Sequence, residues 1–165
     1  MAATSSFDVV SDFDRQELVN AVDQTQREVR TRFDLKDTKS EIRLEEKTIT
    51  LVSDSEYALG QIRDILESKA FRRGLSLKIF DYGEVQEAGG MTYRQVITLR
   101  KGIAEDLAKK LSKQIRDALP KVQVQIQGDA LRIVSKSKDD LQAVIHFLRE
   151  HEADYPVPLQ YTNRR

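Results

Sequence analysis

Residues 93–138 hold a surplus of basic side chains, the type that binds phosphate. This segment, the basic band, has 11 Lys and Arg against 4 Asp and Glu, although the whole chain has 27 of each sign. A field of this sign attracts phosphate groups, and salt screens it over a Debye length of about 8–10 Å. Alternatively, most of these side chains coat solvated helix faces. The band as a whole therefore predicts an anionic ligand, although no single lysine in it does.

Catalytic chemistry has little support in the sequence. The phosphate loops Gly-x-x-x-x-Gly-Lys-[Ser/Thr] and Gly-x-Gly-x-x-Gly and the nucleophile loop Gly-x-Ser-x-Gly are absent. The absence of cysteine excludes disulfides, zinc-thiolate sites and thiol nucleophiles. His146 and His151 are five positions apart, a poor spacing for one metal ion on a helix. We therefore interpret the chain as a binding protein, not an enzyme, with no metal and no cofactor.

The sequence gives no indication of a membrane or an export route. No apolar run approaches the roughly 20 residues that a membrane-spanning helix needs. The first six residues contain no basic side chain and no apolar core of the kind found in a secretory signal. We therefore expect a cytoplasmic protein without a membrane partner.

The elements that must position the basic band occur twice in the chain. Residues 48–59 and residues 130–141, which lie 82 positions later, both read as a strand, a capped turn and the start of a helix. The matching apolar positions are Ile49 and Leu131, Leu51 and Ile133, and Leu59 and Leu141. This repetition predicts an α+β protein with two βαββαβ units.

In the first copy, capping signatures and alternation predict the order of elements. Asp14-x-x-Glu17 opens a helix, and residues 41–52 alternate as a hairpin. A second box, Ser53-x-x-Glu56, opens the next helix, and residues 75–79 form the closing strand.

In the second copy, glycine, proline and serine mark the boundaries. Residues 81–91 lack periodicity and are expected to form a linker. Pro120 limits the first helix, Gly128-Asp129 makes a hairpin turn, and Ser137 caps the second helix.

A βαββαβ unit places both helices on one face of its sheet and leaves the other face free. Single-stranded RNA binds that free face in RRM domains, through aromatic residues on the central strands. Here no stretch matches the basic-Gly-aromatic pattern, and the aromatic candidates lie on terminal strands or in linkers. They are Phe80, Tyr82, Tyr93 and Tyr161. This mode of RNA binding is therefore not favoured.

Six ordered blocks resemble the bacterial YajQ family of nucleotide-binding proteins. The blocks begin at Ser6 (SFDVVS), Asn20 (NAVDQ), Arg32 (RFDLK), Ile126 (IQGDALR), Lys138 (KDDLQ) and Leu159 (LQYTNR). The match runs from about Ser6 to Arg165, and six ordered blocks over this span are more specific than any one block. The resemblance implies two ferredoxin-like units in tandem that exchange their N-terminal strands. The first domain would be residues 12–100, with the strand near 93–100, and the second would be residues 1–11 plus 101–165.

The resemblance also implies a ligand class and candidate residues. Family members are described as nucleotide-binding proteins without known catalysis, some are effectors for cyclic di-GMP, and RNA binding has been proposed. Phosphate-compatible donors in the matched blocks would form the nucleotide-binding site. These residues are Arg32, Lys36, Arg132, Lys136, Lys138, Gln160, Asn163 and Arg165.

Two blocks depart from the family pattern. The chain has Leu35-Lys36-Asp37 where the family often has Phe-Lys-Gly, and Ser135-Lys136 where it often has Gly-Lys. A ligand that needs close backbone approach at either turn would bind less well here.

Three hypotheses follow for function. We expect first a non-enzymatic nucleotide-binding protein, with cyclic di-GMP as the favoured ligand. The second hypothesis is an RNA-binding module that uses the basic band, and the third is an adaptor that binds a protein partner.

Overall fold

The computed structural model describes residues 3–165, and its nine strands form two separate antiparallel sheets. The chain divides into two units. The central unit is Phe13–Arg100, and the terminal unit combines the residues up to Asp12 with Lys101–Arg165. Each unit has two helices, so the predicted α+β class is confirmed.

The central unit has a sheet of order β2-β3-β6-β4, with β5 paired to the free part of β6. One core lies between this sheet and its two helices. The elements are α1 (Arg15–Thr31), β2 (Glu41–Leu44), β3 (Thr48–Ser53), α2 (Glu56–Arg72), β4 (Phe80–Tyr82), β5 (Gln86–Ala88) and β6 (Thr92–Leu99).

The terminal unit has a sheet of order β7-β8-β1-β9 and a core of its own. Its elements are β1 (Ser5–Val10), α3 (Glu105–Ala118), β7 (Gln123–Gln127), β8 (Ala130–Ser135), α4 (Lys138–Glu150) and β9 (Gln160–Thr162). Strand β1 comes before the central unit in sequence but lies between β8 and β9. The predicted pair of ferredoxin-like units with exchanged strands is thereby confirmed. The predicted domain bounds, 12–100 and 1–11 plus 101–165, stay a prediction.

Helix boundaries follow from local capping. The Asp14 carboxylate accepts hydrogen bonds from the amides of Gln16 and Glu17, so α1 begins where the sequence predicts. The predicted N-cap of α2, Ser53, is wrong by two residues, because the cap is Ser55. Ser53 is the buried end of β3, and the hydroxyl of Ser55 accepts from the amide of Ala58. Alternating burial along β3 points Ser53 inward and leaves Ser55 free to cap.

Two further predictions are corrected in the segment before β6. Leu77–Ile79 forms a single 3₁₀ turn, not a strand, because the Ser76 hydroxyl accepts from the amide of Lys78. The closing strand is β4, which begins at Phe80. The expected linker contains β5, which pairs with β6.

Both sheets keep one face clear of helices. In the terminal unit, Phe7, Leu131 and Ile133 point into the core, and alternate residues such as Asp8 and Arg132 point to the helix-free face. Within residues 3–165, the helices are too short or too polar to cross a membrane.

Candidate functional site

The turn between β8 and α4 brings several phosphate-compatible groups together, and we call Ser135–Asp140 the terminal corner. The Ser135 hydroxyl accepts from the amide of Ser137 at 3.1 Å. The Ser137 hydroxyl accepts from the amide of Asp140 at 3.2 Å and caps α4, as predicted. Two side-chain caps therefore fix a tight turn, with Lys136 exposed at its centre and Lys138 exposed in the first turn of the helix.

A cleft of about 560 Å³ opens at the terminal corner. This volume is within the range of roughly 300–1,000 Å³ that is usual for small-molecule sites. Neither Lys121 nor Lys136 makes an ion pair within residues 3–165. The polar residues that line the cleft are Thr4, Lys121, Gln123, Ser135, Lys136, Ser137 and Asp140. The cleft therefore offers two ammonium groups without ion-pair partners, three hydroxyls, an amide and a carboxylate.

The first turn of α4 borders this cleft through Asp140, whose amide already donates to the Ser137 hydroxyl. The first amides of a helix have no intrahelical acceptor, and the helix dipole favours an anion at this end. Asp139 and Asp140 stand in the same turn and offset part of that field. Lys121 and Lys136 therefore supply the positive side-chain charge that lines the cleft.

Arg132 lies on the helix-free face of the sheet and is engaged by a carboxylate. Its Nε donates to Oδ1 of Asp8 at 3.1 Å, and Nδ2 of Asn163 donates to Oδ2 at 2.8 Å. Burial acts to raise the pKa of Asp8, which is 9% exposed. The hydrogen bonds from Asn163 and Arg132 and the charges of Arg132 and Arg165 outweigh burial and lower that pKa. Arg132 is therefore not a free phosphate clamp.

Two other predicted residues stabilise the end of the chain. Oε1 of Gln160 accepts from the amide of Asp12 at 2.8 Å. The backbone of Arg165 pairs with Ser6 in both directions, at 3.0 and 2.8 Å. The side chain of Gln160 and the backbone of Arg165 thus have structural partners.

Arg32 and Lys36 belong to the central unit. Nε of Arg32 lies 2.7 Å from Oδ1 of Asp34, and an NH₂ group of Arg32 donates to Gln61 at 3.2 Å. Nζ of Lys36 lies 5.4 Å from the ring centroid of Phe33. The predicted residues therefore occupy four places: the terminal corner, the surroundings of Asp8, the contact of Gln160 with Asp12, and the end of α1 with the turn that follows it.

Sequence reasoning did not select several residues of the cleft. Lys121 was counted in the basic band, and Ser137 was identified only as a cap. Thr4 has no local signal, because it reaches the cleft through the pairing of Ser5 with Ser135. Asp8 was also missed, because its partner Arg132 is 124 positions away in sequence.

Comparison with known proteins agrees with the resemblance. Residues 5–165 match the family model described as "Nucleotide-binding protein YajQ-like". The chain belongs to this YajQ family. A relative from Chloroflexus aurantiacus is 62% identical over 165 residues, one from Roseiflexus castenholzii is 59% identical, and one from Synechococcus elongatus is 58% identical. Each alignment covers all of both chains, and each relative is named a nucleotide-binding protein.

These names describe binding and not catalysis. The part of the chain that the structure describes has no group of three or more His, Cys, Asp or Glu side chains arranged to hold a metal ion. His146 lies 2.7 Å from Glu150, and the ring of His151 contacts the carbonyl of Phe147 at 2.9 Å. Both histidines therefore have partners within or directly after α4.

Proposed function

We propose that this YajQ-family chain binds a nucleotide in the cleft at the terminal corner. One observation supports this proposal. Lys121 and Lys136 both line the cleft beside the first turn of α4, and neither has an ion-pair partner within residues 3–165. Lysine ammonium groups and helix N-terminal amides both bind phosphate. The names of the close relatives support the same ligand class.

The cleft offers different groups to different parts of a nucleotide. Lys136 and Lys121 contact phosphate oxygens, and Ser137 and Thr4 donate hydroxyl hydrogen bonds. Lys138, exposed next to the cleft, adds a further positive charge. The carboxylate of Asp140 accepts from the N–H groups of a base, which guanine presents on its Watson–Crick edge. This combination makes cyclic di-GMP the first ligand to test.

The other predicted residues take secondary roles in this proposal. Arg132, Asn163 and Arg165 surround Asp8 and set the field of the helix-free face. Gln160 holds the chain near Asp12. Arg32 and Lys36 do not line this cleft, so a ligand contact there would require a separate site.

We further propose that the chain acts without catalysis. A phosphate held by lysines and hydroxyls needs an activated nucleophile or a metal ion to be transferred or hydrolysed. The cleft lining contains no histidine and a single carboxylate. Incubation with the bound nucleotide should therefore leave it unchanged, as chromatography of the ligand would report.

The direct test is a titration with fluorescently labelled cyclic di-GMP. We expect saturable binding that excess GTP does not abolish. Lys136→Ala and Lys138→Ala should each weaken binding by roughly 10-fold, since a hydrogen bond to a charged group contributes about 1.5–3 kcal/mol. Lys109→Ala is the matched control, because it removes one exposed lysine that pairs only with Glu105 on α3. If all three variants bind the ligand as tightly as the wild type, the cleft is not the nucleotide-binding site.

The same titration distinguishes the alternative functions. Displacement by single-stranded RNA alone, with a log–log salt slope of roughly −0.7 per phosphate contact, would favour an RNA-binding module. A protein partner that binds regardless of nuclease and added nucleotide would favour an adaptor. Base stacking on the sheet has little support, because Phe80 is buried and Tyr161 packs against Phe7 and Arg149.

A further inference from the structure

Strand β7 is an edge strand without the protection that exposed edges usually have. It pairs with β8 on one side, and no strand within residues 3–165 pairs with its other side. Four of its five residues are exposed, including Ile126 at 44%. Residues 122–127 contain no charged side chain and no proline. Charges and prolines are the means by which proteins prevent pairing at an open edge.

The other sheet edges differ in this respect. Strand β2 has four residues and carries the charges of Glu41 and Arg43. Strands β4, β5 and β9 have three residues each, and β9 follows Pro156 and Pro158. Strand β7 is therefore the edge best suited to accept another strand.

The sequence of β7 is complementary to itself. It reads Gln-Val-Gln-Ile-Gln, so a two-fold axis through Gln125 places Gln123 opposite Gln127 and Val124 opposite Ile126. Residues that are directly opposite lie on the same face, so amides meet amides on the helix-free face and aliphatic groups meet on the helix face. No like charges oppose each other within the strand.

The charges on helix α3 fit the same axis. Helix α3 packs against β7, with Glu105 in its first turn and Arg116 in its last. A two-fold axis runs two such helices antiparallel, which places the acidic end of one near the basic end of the other.

We propose that two copies of this chain associate through antiparallel pairing of their β7 strands, which joins two four-stranded sheets into one of eight strands. The pairing is isologous, as closed dimers require. A five-residue ladder buries little surface, so the dimer forms in a concentration-dependent way. Because Gln123 lines the cleft, the second copy's Gln127 would border it. The association does not rest on the identity of the ligand.

A single cysteine tests the register directly, because the chain contains no cysteine. Residues opposite each other in an antiparallel pair have Cα atoms about 4.5–5.5 Å apart, within the disulfide range of about 4.4–6.8 Å. Gln125→Cys should therefore form a disulfide-linked dimer on mild oxidation. Arg43→Cys is the matched control, because Arg43 has the equivalent position on the edge strand β2. Arg43 pairs with Thr50 just as Gln125 pairs with Arg132. Equal cross-linking of both variants would overturn the proposal.

Charge at the axis gives an independent test in solution. Gln125→Lys and Gln125→Glu each place like charges opposite each other, and each should weaken self-association at least tenfold in analytical ultracentrifugation. An equal mixture of the two variants should restore dimers, because lysine then faces glutamate. Circular dichroism and thermal melts establish that each exposed substitution leaves the fold intact. A wild-type chain that stays monomeric at its highest soluble concentration, or variants that dimerise as well as the wild type, would overturn the proposal.

Discussion

The two units build the same strand–turn–helix corner with oppositely charged residues on either side of the capping serine. In the terminal corner, Lys136 and Lys138 surround the capping residue Ser137, whereas in the central unit Asp54 and Glu56 surround Ser55. We call Ser53–Ala58 the central corner. The ladders are equivalent, since Ser53 pairs with Tyr93 in β6 and Ser135 pairs with Ser5 in β1. The comparison shows that the same corner backbone accepts either sign of charge beside its capping serine.

The hydroxyl groups also differ between the two corners. In the central unit, Ser40 bonds to Ser53 at 2.9 Å and contacts Thr38, and the hydroxyl of Ser53 donates to the Thr38 carbonyl. Nζ of Lys39 donates to the carbonyl of Gly90. These groups are occupied within the unit, whereas Lys121, the equivalent of Lys39, lines an open cleft. The lysine of the central unit therefore has a hydrogen-bond partner within its own unit, whereas the equivalent lysine of the terminal unit faces the cleft.

The cores differ at one matched position. Phe7 on β1 is buried in the terminal unit, and Gln95 on β6 has the same place in the central unit. Oε1 of Gln95 accepts from Arg63 at 2.6 Å, and its Nε2 donates to the carbonyl of Gly83 at 2.8 Å. The polar network holds the segment between β4 and β5 against the sheet, an addition that the terminal unit does not share.

The largest expected effect comes from exchanging these core residues. Phe7→Gln should lower the free energy of unfolding by about 3–5 kcal/mol, because it removes a buried ring and leaves an amide without partners. Urea unfolding at neutral pH measures the change. A loss below about 1 kcal/mol would mean that the terminal core accepts the polar residue of the central core, contrary to the comparison.

The next effect concerns binding at the corners. Lys136→Asp together with Lys138→Glu gives the terminal corner the central residues, and should weaken nucleotide binding by roughly 100-fold through two lost charged contacts. The reciprocal variant, Asp54→Lys with Glu56→Lys, should leave affinity unchanged, because the neighbouring hydroxyls remain bonded to each other. Titration of both variants with labelled cyclic di-GMP checks this prediction. A gain of a second binding site in the reciprocal variant would mean that charge alone makes the site.

A smaller effect is expected from breaking the polar network of the central unit. Gln95→Leu leaves Arg63 and the Gly83 carbonyl without their partner, and should cost about 1–3 kcal/mol of unfolding free energy. The double variant Gln95→Leu with Arg63→Leu should recover part of that loss, because the half-buried guanidinium that lost its partner is then also removed, while the Gly83 carbonyl still lacks its donor. A double variant less stable than Gln95→Leu alone would contradict this account.

The smallest effect is the pH dependence of Asp8, whose central counterpart is the uncharged Val96. The pKa of Asp8 is lowered from 3.8 in the folded chain, so its ionised form stabilises the fold above pH 3.8. That stabilisation is lost as pH falls through the folded pKa. Asp8→Asn should therefore be about 1 kcal/mol less stable at pH 7, and the gap should close toward pH 2. A gap that is constant with pH would show that the charge of Asp8 does not stabilise the fold.

Periodicity and capping predicted much of the fold because they are local. The apolar stripe of α1, the cap at Asp14 and the turn at Gly128 depend on residues within a few positions of each other. The cap of α2 was misplaced because Ser53 and Ser55 both fit the pattern. Burial of Ser53 at the end of β3 excludes it, and that depends on the whole sheet.

The sequence by itself determined the two repeats, the alternating strands and the basic band that contains Lys121, Lys136 and Lys138. It also determined the neutral, self-complementary β7. Only the tertiary structure decided which charges remain available, because Arg132 meets Asp8 and Thr4 reaches the terminal corner through strand pairing across more than a hundred residues. Local interactions depend on spacing along the chain, whereas ion pairs and cleft walls depend on which distant strands lie side by side.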